Sequence, residues 1–90
     1  VSLDQNYPNP FNPQTTIRFE LGEAGPVNLA VFDLLGREVA TLANESLSAG
    51  AHAFSWAGRD FNGLGVATGV YVYRLRAGGQ TVSRQMVLLQ

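Results

Sequence analysis

Short segments of alternating apolar and polar residues, each ended by turn-forming residues, set the tightest limit on what this chain can fold into. In residues 15–21, Ile17, Phe19 and Leu21 fall on one side and Thr16, Arg18 and Glu20 on the other. Val27, Leu29 and Val31 repeat the pattern in residues 27–33, His52, Phe54 and Trp56 in residues 51–56, and Tyr71, Tyr73 and Leu75 in residues 70–77. Residues 37–43 alternate more weakly, and residues 81–89 close on the apolar run Met86-Val87-Leu88-Leu89. Strand side chains point alternately to two faces, so a period of two rich in Val, Phe and Tyr reads as strands. Between the segments lie turn residues. Gly22-Glu23-Ala24-Gly25-Pro26 and Ser48-Ala49-Gly50 break the chain, and Asp33-Leu34-Leu35-Gly36 fits a type I turn with Asp first and Gly fourth. Asn62-Gly63 is a strong two-residue hairpin signal, and Gly78-Gly79 closes the last hairpin. Residues 34–47 are the one window with helical spacing, and Gly36, Val39 and Thr41 weaken it. Six or seven short strands at near-regular spacing imply an antiparallel β-sandwich.

The four prolines all lie in the first 26 residues. Proline fixes φ, donates no hydrogen bond and pushes its predecessor toward extended geometry. Residues 6–13, Asn-Tyr-Pro-Asn-Pro-Phe-Asn-Pro, therefore read as an extended strap, with Tyr7 and Phe11 as its expected anchors on the body. The expected division is a proline-rich lead-in at 1–14 and a sandwich at 15–90, within one domain. With 46% hydrophobic and 14% charged residues, a chain of 90 residues has enough apolar surface for a core and is no disordered tail.

Composition also removes several chemistries. Cysteine is absent, which excludes disulfides, thiolate catalysis and Cys-based zinc sites. The six basic residues are all Arg, so Lys-dependent Schiff bases and isopeptide cross-links are excluded too. The net charge of −1 carries no basic stripe for nucleic acid, and no apolar run reaches the length of a membrane span. No signal peptide opens the chain, as expected of a cytosolic protein or of a piece of a longer exported one. Asp60 and Asn62 alone fall short of the roughly six oxygen ligands of a calcium loop, so Asp60 is expected to cap its own turn. His52 has no nucleophile and acid at a suggestive spacing and is expected to pack beside Phe54 and Trp56. Trp56 is expected in the core.

Asn6-Tyr7-Pro8-Asn9-Pro10-Phe11-Asn12-Pro13-Gln14-Thr15-Thr16-Ile17 resembles the opening signature of the type A C-terminal sorting domain of the type IX (Por) secretion system. The resemblance continues through Val31-Phe32-Asp33-Leu34-Leu35-Gly36-Arg37-Glu38-Val39, Ala49-Gly50-Ala51-His52, Trp56-Ala57-Gly58-Arg59-Asp60 and Gly69-Val70-Tyr71-Val72-Tyr73-Arg74-Leu75, to Met86-Val87-Leu88-Leu89. It covers nearly the whole chain, and the Pro-Asn-Pro-Phe-Asn-Pro block is its most discriminating part. Ala57 stands where that family usually has Asp, and Gln85 and Gln90 where it usually has Lys. The structural motif residues are Tyr7, Pro8, Pro10, Phe11, Pro13, Asp33, Gly36, Arg37 and Trp56.

The resemblance implies an immunoglobulin-like sandwich of about seven strands that addresses its cargo and is not itself an enzyme. It implies no cofactor and no metal. The implied partners are an upstream cargo domain in the same polypeptide, the outer-membrane translocon with its shuttle protein, and a surface sortase-like protease. The implied route runs through the periplasm to the cell surface, or on to secretion, in Bacteroidetes or related bacteria. The residues expected to carry the signal are Gly69, Val70, Tyr71, Arg84, Met86, Val87, Leu88 and Leu89. A chain ending in an apolar strand also offers an edge that a partner sheet can extend. Arg74 and Arg76 alternate onto the polar face of the penultimate strand, with Arg84 on its neighbour; a solvated sheet face is expected there, with a small basic patch for an acidic receptor as the alternative. Two alternatives remain. The pattern also resembles the immunoglobulin-like domain of flagellar hook-capping proteins, an assembly scaffold. An accessory carbohydrate-binding module would instead present an exposed aromatic strip including Trp56.

Overall fold

The alternating segments become strands. The computed structural model describes residues 1–89. They form β1 (Ser2–Leu3), β2 (Thr15–Leu21), β3 (Gly25–Phe32), β4 (Glu38–Leu47), β5 (Gly50–Trp56), β6 (Gly69–Ala77) and β7 (Gln80–Leu88). Two sheets result, ordered β1-β2-β5 and β4-β3-β6-β7, with every strand pairing antiparallel. This is the expected sandwich of seven strands. Among the described residues, no helix is long and apolar enough to cross a membrane.

The inward positions meet between the sheets. Ile17 and Phe19 from β2 face Leu29 and Val31 from β3, Tyr73 and Leu75 from β6, and Met86 and Leu88 from β7, all essentially inaccessible to water. Burying a side chain of this size contributes roughly 1.5–3 kcal/mol, so this apolar layer is the main source of stability. An aromatic chain extends it to one end of the sandwich: Phe11 packs on Trp56 at 5.8 Å between ring centroids, and Trp56 on Tyr71 at 5.5 Å in an edge-to-face contact.

Four local features differ from the sequence expectation. β1, only two residues long, is too short to show a period. β4 runs ten residues where only a weak segment at 37–43 was expected. Register shifts against β3, between Leu29 and Ala30 and between Val31 and Phe32, break its alternation, so its buried Ala40 and Ala43 are three apart. A bulge adds one residue on one strand, and here it imitates helical spacing. Pro26 lies inside β3 and not in the preceding turn. It pairs with Ser46 of β4 at a position where pairing with β6 has not yet begun. Finally, Asn62-Gly63 is not the centre of a two-residue hairpin. The turn begins at Asp60, whose carbonyl accepts the Gly63 N–H at 3.0 Å, and only Gly63 has positive φ, at 78°.

That turn repeats the one at Asp33. In each, the Asp carbonyl accepts the N–H of the Gly three residues on, and the Asp N–H donates to the carbonyl four residues on. In each, one Asp carboxylate oxygen accepts two backbone N–H groups, from Leu35 and Arg37 or from Asn62 and Leu64. Gly36 has φ of 83°, a region that costs other residues a Cβ clash. This is a type I turn followed by a left-handed glycine.

Candidate functional site

The residues expected to carry a signal occupy β6 and β7, which pair with Gly69 opposite Leu88, Val70 opposite Val87 and Tyr71 opposite Met86. Pairing parity divides them between two faces. Tyr71, Met86 and Leu88 point into the core and are buried. Val70 and Val87 sit half-buried on the outer face, Gly69 is half-buried, and Leu89 is 47% exposed. The Tyr71 hydroxyl donates to the Ala67 carbonyl at 2.6 Å. Burial, with the Asp33 charge nearby, raises its pKa above the usual tyrosine value. Gln90, noted for replacing a Lys, lies outside the described residues.

The outer edge of β7 is not open over its C-terminal half. The strap covers it. The Phe11 N–H donates to the Val87 carbonyl at 3.0 Å, and the Leu89 N–H donates to the Phe11 carbonyl at 2.9 Å. Asn9 Oδ1 accepts the Val87 N–H at 3.0 Å, and Gln5 Nε2 donates to the Gln85 carbonyl at 2.7 Å. The expectation that a partner sheet extends this edge is therefore corrected. The chain's own residues 5–11 take the groups that such a partner would need.

Buried polar contacts fix the strap in place. The Tyr73 hydroxyl, deep in the sandwich, accepts the Asn6 N–H at 2.9 Å and donates to the Asp4 carbonyl at 2.7 Å. Asn6 Nδ2 donates to Thr15 Oγ1 at 2.9 Å, and Thr15 Oγ1 donates to the Pro8 carbonyl at 2.9 Å. Asn6 and Thr15 are the buried polar residues of the chain's described part, and both are satisfied. Desolvation by burial raises the Tyr73 pKa. Phe11 is an anchor, at 1% exposure, but Tyr7 is not, at 75%. Tyr7 holds on by backbone alone, exchanging hydrogen bonds with Thr16 at 3.0 and 2.9 Å. Asn6 beside it takes the inward position, and the Tyr7 ring lies outward.

Two further alternatives fall. Arg84 does not join Arg74 and Arg76. It stands opposite Tyr73, which places it on the core-facing side of β7, and from this edge position its Nε donates to the Leu3 carbonyl at 2.6 Å. Arg74 lies on the other face, stacked over the Phe32 ring at 4.4 Å. Trp56 is only 3% exposed, and its Nε1 donates to the Arg59 carbonyl, so it offers no platform to a sugar. His52 packs against Phe19 at 5.6 Å, with Nε2 2.8 Å from the Ser48 carbonyl.

Sequence reasoning missed one surface. Leu34 and Leu35 at the tip of the Asp33 turn, and Phe61 and Leu64 in the Asp60 turn, are all about two-thirds exposed or more. Both turns line one shallow cleft, through Asp33, Arg37, Glu38, Val39, Asp60, Phe61, Asn62 and Val66. They lie at the same end as Leu89, because β7 ends where β6 begins. Val1 lies at the other end, near Gly22, Glu23, Gly78 and Gln80. The available signal was an apolar pair at the centre of a turn, where polar residues are usual.

Comparison with known proteins gives a consistent fold. The model of the FlgD Ig-like domain family matches residues 6–83. No curated protein matches. Dimeric latent PorU from Porphyromonas gingivalis superposes with a TM-score of 0.75 at 20% identity, covering 97% of this chain and 9% of that one. PorZ from the same organism, described as an essential bacterial surface component of the type-IX secretion system, gives 0.68 at 23% identity, covering 96% of this chain and 11% of that one. FlgD from P. aeruginosa gives 0.60 at 25% identity, covering 83% of this chain and 59% of that one. The chain thus spans a small part of the first two structures and less than two thirds of the third.

Proposed function

The chain belongs to the FlgD Ig-like domain family, and from that premise we propose that it is a sorting module for type IX secretion. It acts by recognition and not by chemistry. A larger cargo in the same polypeptide is directed through the outer-membrane translocon and shuttle to the cell surface, where a sortase-like protease acts on the linker before the domain. One observation carries this reading. The Asn6–Pro13 block and the terminal strand, the two ends of the sequence resemblance, are one structural unit joined at Asn9, Phe11, Val87 and Leu89. A receptor reading that unit reads a folded domain. The fold shared with PorU and PorZ over nearly the whole chain supports the same reading.

Burial restricts which residues such a receptor touches. Tyr71, Met86 and Leu88 act by shaping the domain. Val70, Val87, Leu89 and the turn tips Leu35 and Phe61 are available at the surface. Deleting the last strand is a poor test, because it removes the buried Met86 and Leu88. The better test fuses the domain after a reporter in a type IX-competent host, beside a strain lacking the translocon. The intact fusion is expected at the surface only in the competent strain, and a folded Leu35→Asp, Phe61→Asp double variant is expected to stay periplasmic. Retention of the intact fusion in the periplasm of the competent strain overturns the proposal.

The second reading is an immunoglobulin-like assembly scaffold. The family match over residues 6–83 and the likeness to FlgD favour it. It predicts no translocon-dependent export of the reporter.

A further inference from the structure

A sandwich of two open sheets has four edge strands, and natural proteins guard such edges. Three are guarded here. β1 is two residues long. β4 carries two register shifts and the charged Glu38 and Glu45. β7 is covered by the strap from Gln85 to Leu89. β5 has no such protection. Its seven residues, Gly-Ala-His-Ala-Phe-Ser-Trp, contain no Lys, Arg, Asp, Glu or Pro, and its pairing with β2 runs without a register shift.

The register shows which backbone groups face outward. Thr16 exchanges hydrogen bonds with Tyr7, and the Arg18 carbonyl accepts from the Asp4 N–H, so these β2 residues are turned toward the strap and β1. Ile17 and Phe19 are therefore turned toward β5, to Phe54 and His52. The main-chain groups of Ala51, Ala53 and Ser55 then face away from the sheet, and none has a hydrogen-bond partner among the described residues.

We propose that β5 is a self-association edge, at which two copies of this chain pair antiparallel about a two-fold axis through Ala53. The segment is self-complementary in this register. Ala53 meets Ala53 of the second copy, and Ala51 meets Ser55. These three hydrogen-bonded pairs exchange roughly six backbone hydrogen bonds. Only small side chains then meet on the outer face. On the inner face the half-buried Phe54 comes opposite His52 of the second copy, which covers the exposed part of both rings. No charges of β5 oppose each other, and the flanking Arg18 residues stand three strand spacings apart, about 14 Å, beyond the Debye length of about 8 Å. A net charge of −1 gives little self-repulsion. The contact is isologous and closes at two copies, giving one continuous sheet ordered β1-β2-β5-β5-β2-β1.

Sedimentation equilibrium of the chain from about 10 µM to about 1 mM, a range that suits a contact of one strand pair, reads the association directly. The weight-average mass is expected to approach that of a dimer. Ala53→Glu brings two carboxylates together at the axis and is expected to raise Kd about two- to fivefold. Its fold is protected because the exposed new carboxylate stands opposite Arg18. The absence of cysteine allows a second readout. Ala53→Cys places two thiols on α-carbons about 5.5 Å apart, within the disulfide range, so it should cross-link much faster under mild oxidant than Ala49→Cys. A chain that stays monomeric throughout overturns the proposal, including one whose β5 edge is instead taken by an extended segment of another protein. So does a dimer indifferent to Ala53→Glu, or equal cross-linking of the two cysteine variants.

Discussion

Replacing Tyr73 by Phe removes a single oxygen atom, and its cost follows from what that atom touches. The hydroxyl accepts the Asn6 N–H at 2.9 Å and donates to the Asp4 carbonyl at 2.7 Å, on a side chain fully shielded from water. Asn6 is itself buried, so its N–H finds no water in the variant. Asp4 is exposed, and its carbonyl can be solvated. A buried donor left unsatisfied costs about 1–3 kcal/mol and a lost hydrogen bond about 1 kcal/mol, so the variant is expected to lose roughly 2–4 kcal/mol. A domain of this size has about 4–13 kcal/mol in all, so the loss is large. Urea unfolding followed by Trp56 fluorescence should show the midpoint falling by roughly 1–3 M with an unchanged slope. Tyr71→Phe is the matched control. Its hydroxyl donates to the exposed Ala67 and leaves no buried donor behind, so about 0.5–1.5 kcal/mol is expected. If the two variants cost the same, or Tyr73→Phe costs under about 0.5 kcal/mol, the buried tether is not what the geometry implies. A reduced slope with faster hydrogen exchange confined to residues 1–11 would instead mean that the strap opens on its own.

Three further outcomes are expected. The Tyr73 pKa is raised by burial, so the folded state holds its proton longer than the unfolded state. That stability is fully present below the unfolded value of 10.0 and is lost as pH rises through the higher folded value, so Tm should fall more steeply above pH 10.0 in the native chain than in Tyr73→Phe. The Asp33 pKa is lowered, first by the Arg37 backbone N–H. Its contribution is present above the unfolded pKa and lost as pH falls through the folded one, so Asp33→Ala should shrink the acid-side decline of Tm. Gly58 has φ of 69°, and a Cβ there would lie 3.2 Å from Leu88 Cδ2. Gly58→Ala should cost about 1–2 kcal/mol in urea unfolding, more than Gly63→Ala, whose Cβ would meet open space.

The alternating segments placed five of the seven strands, and the inward residues of four of them, because strand alternation is a local property, set by the backbone pleat. It failed where local geometry is disturbed. The bulges in β4 broke the period, and β1 was too short to have one. The turn at Asp60 was legible as a turn but not in type, since Asn62-Gly63 suits a tighter hairpin than the one Asp60 nucleates with its carboxylate.

The candidate site was legible as a list of residues but not as a surface. Val70 and Tyr71, adjacent in the chain, point to opposite faces, and the core takes Tyr71, Met86 and Leu88. Arg84 parts from Arg74 and Arg76 because face parity on one strand says nothing about another until the register is set, and the Tyr73–Arg84 pairing sets it.

Residue type and near-neighbour spacing were enough to establish an all-β chain, the inward faces of its main strands, the proline-rich strap and the absence of cysteine and lysine chemistry. Which edges are closed emerges from the packed sheets alone. The hydrogen bonds from residues 5–11 to β7 join positions nearly eighty apart in the chain, and nothing local encodes them. An edge is a property of the order of strands in a sheet, so the covered β7 and the bare β5 became visible only once that order was known.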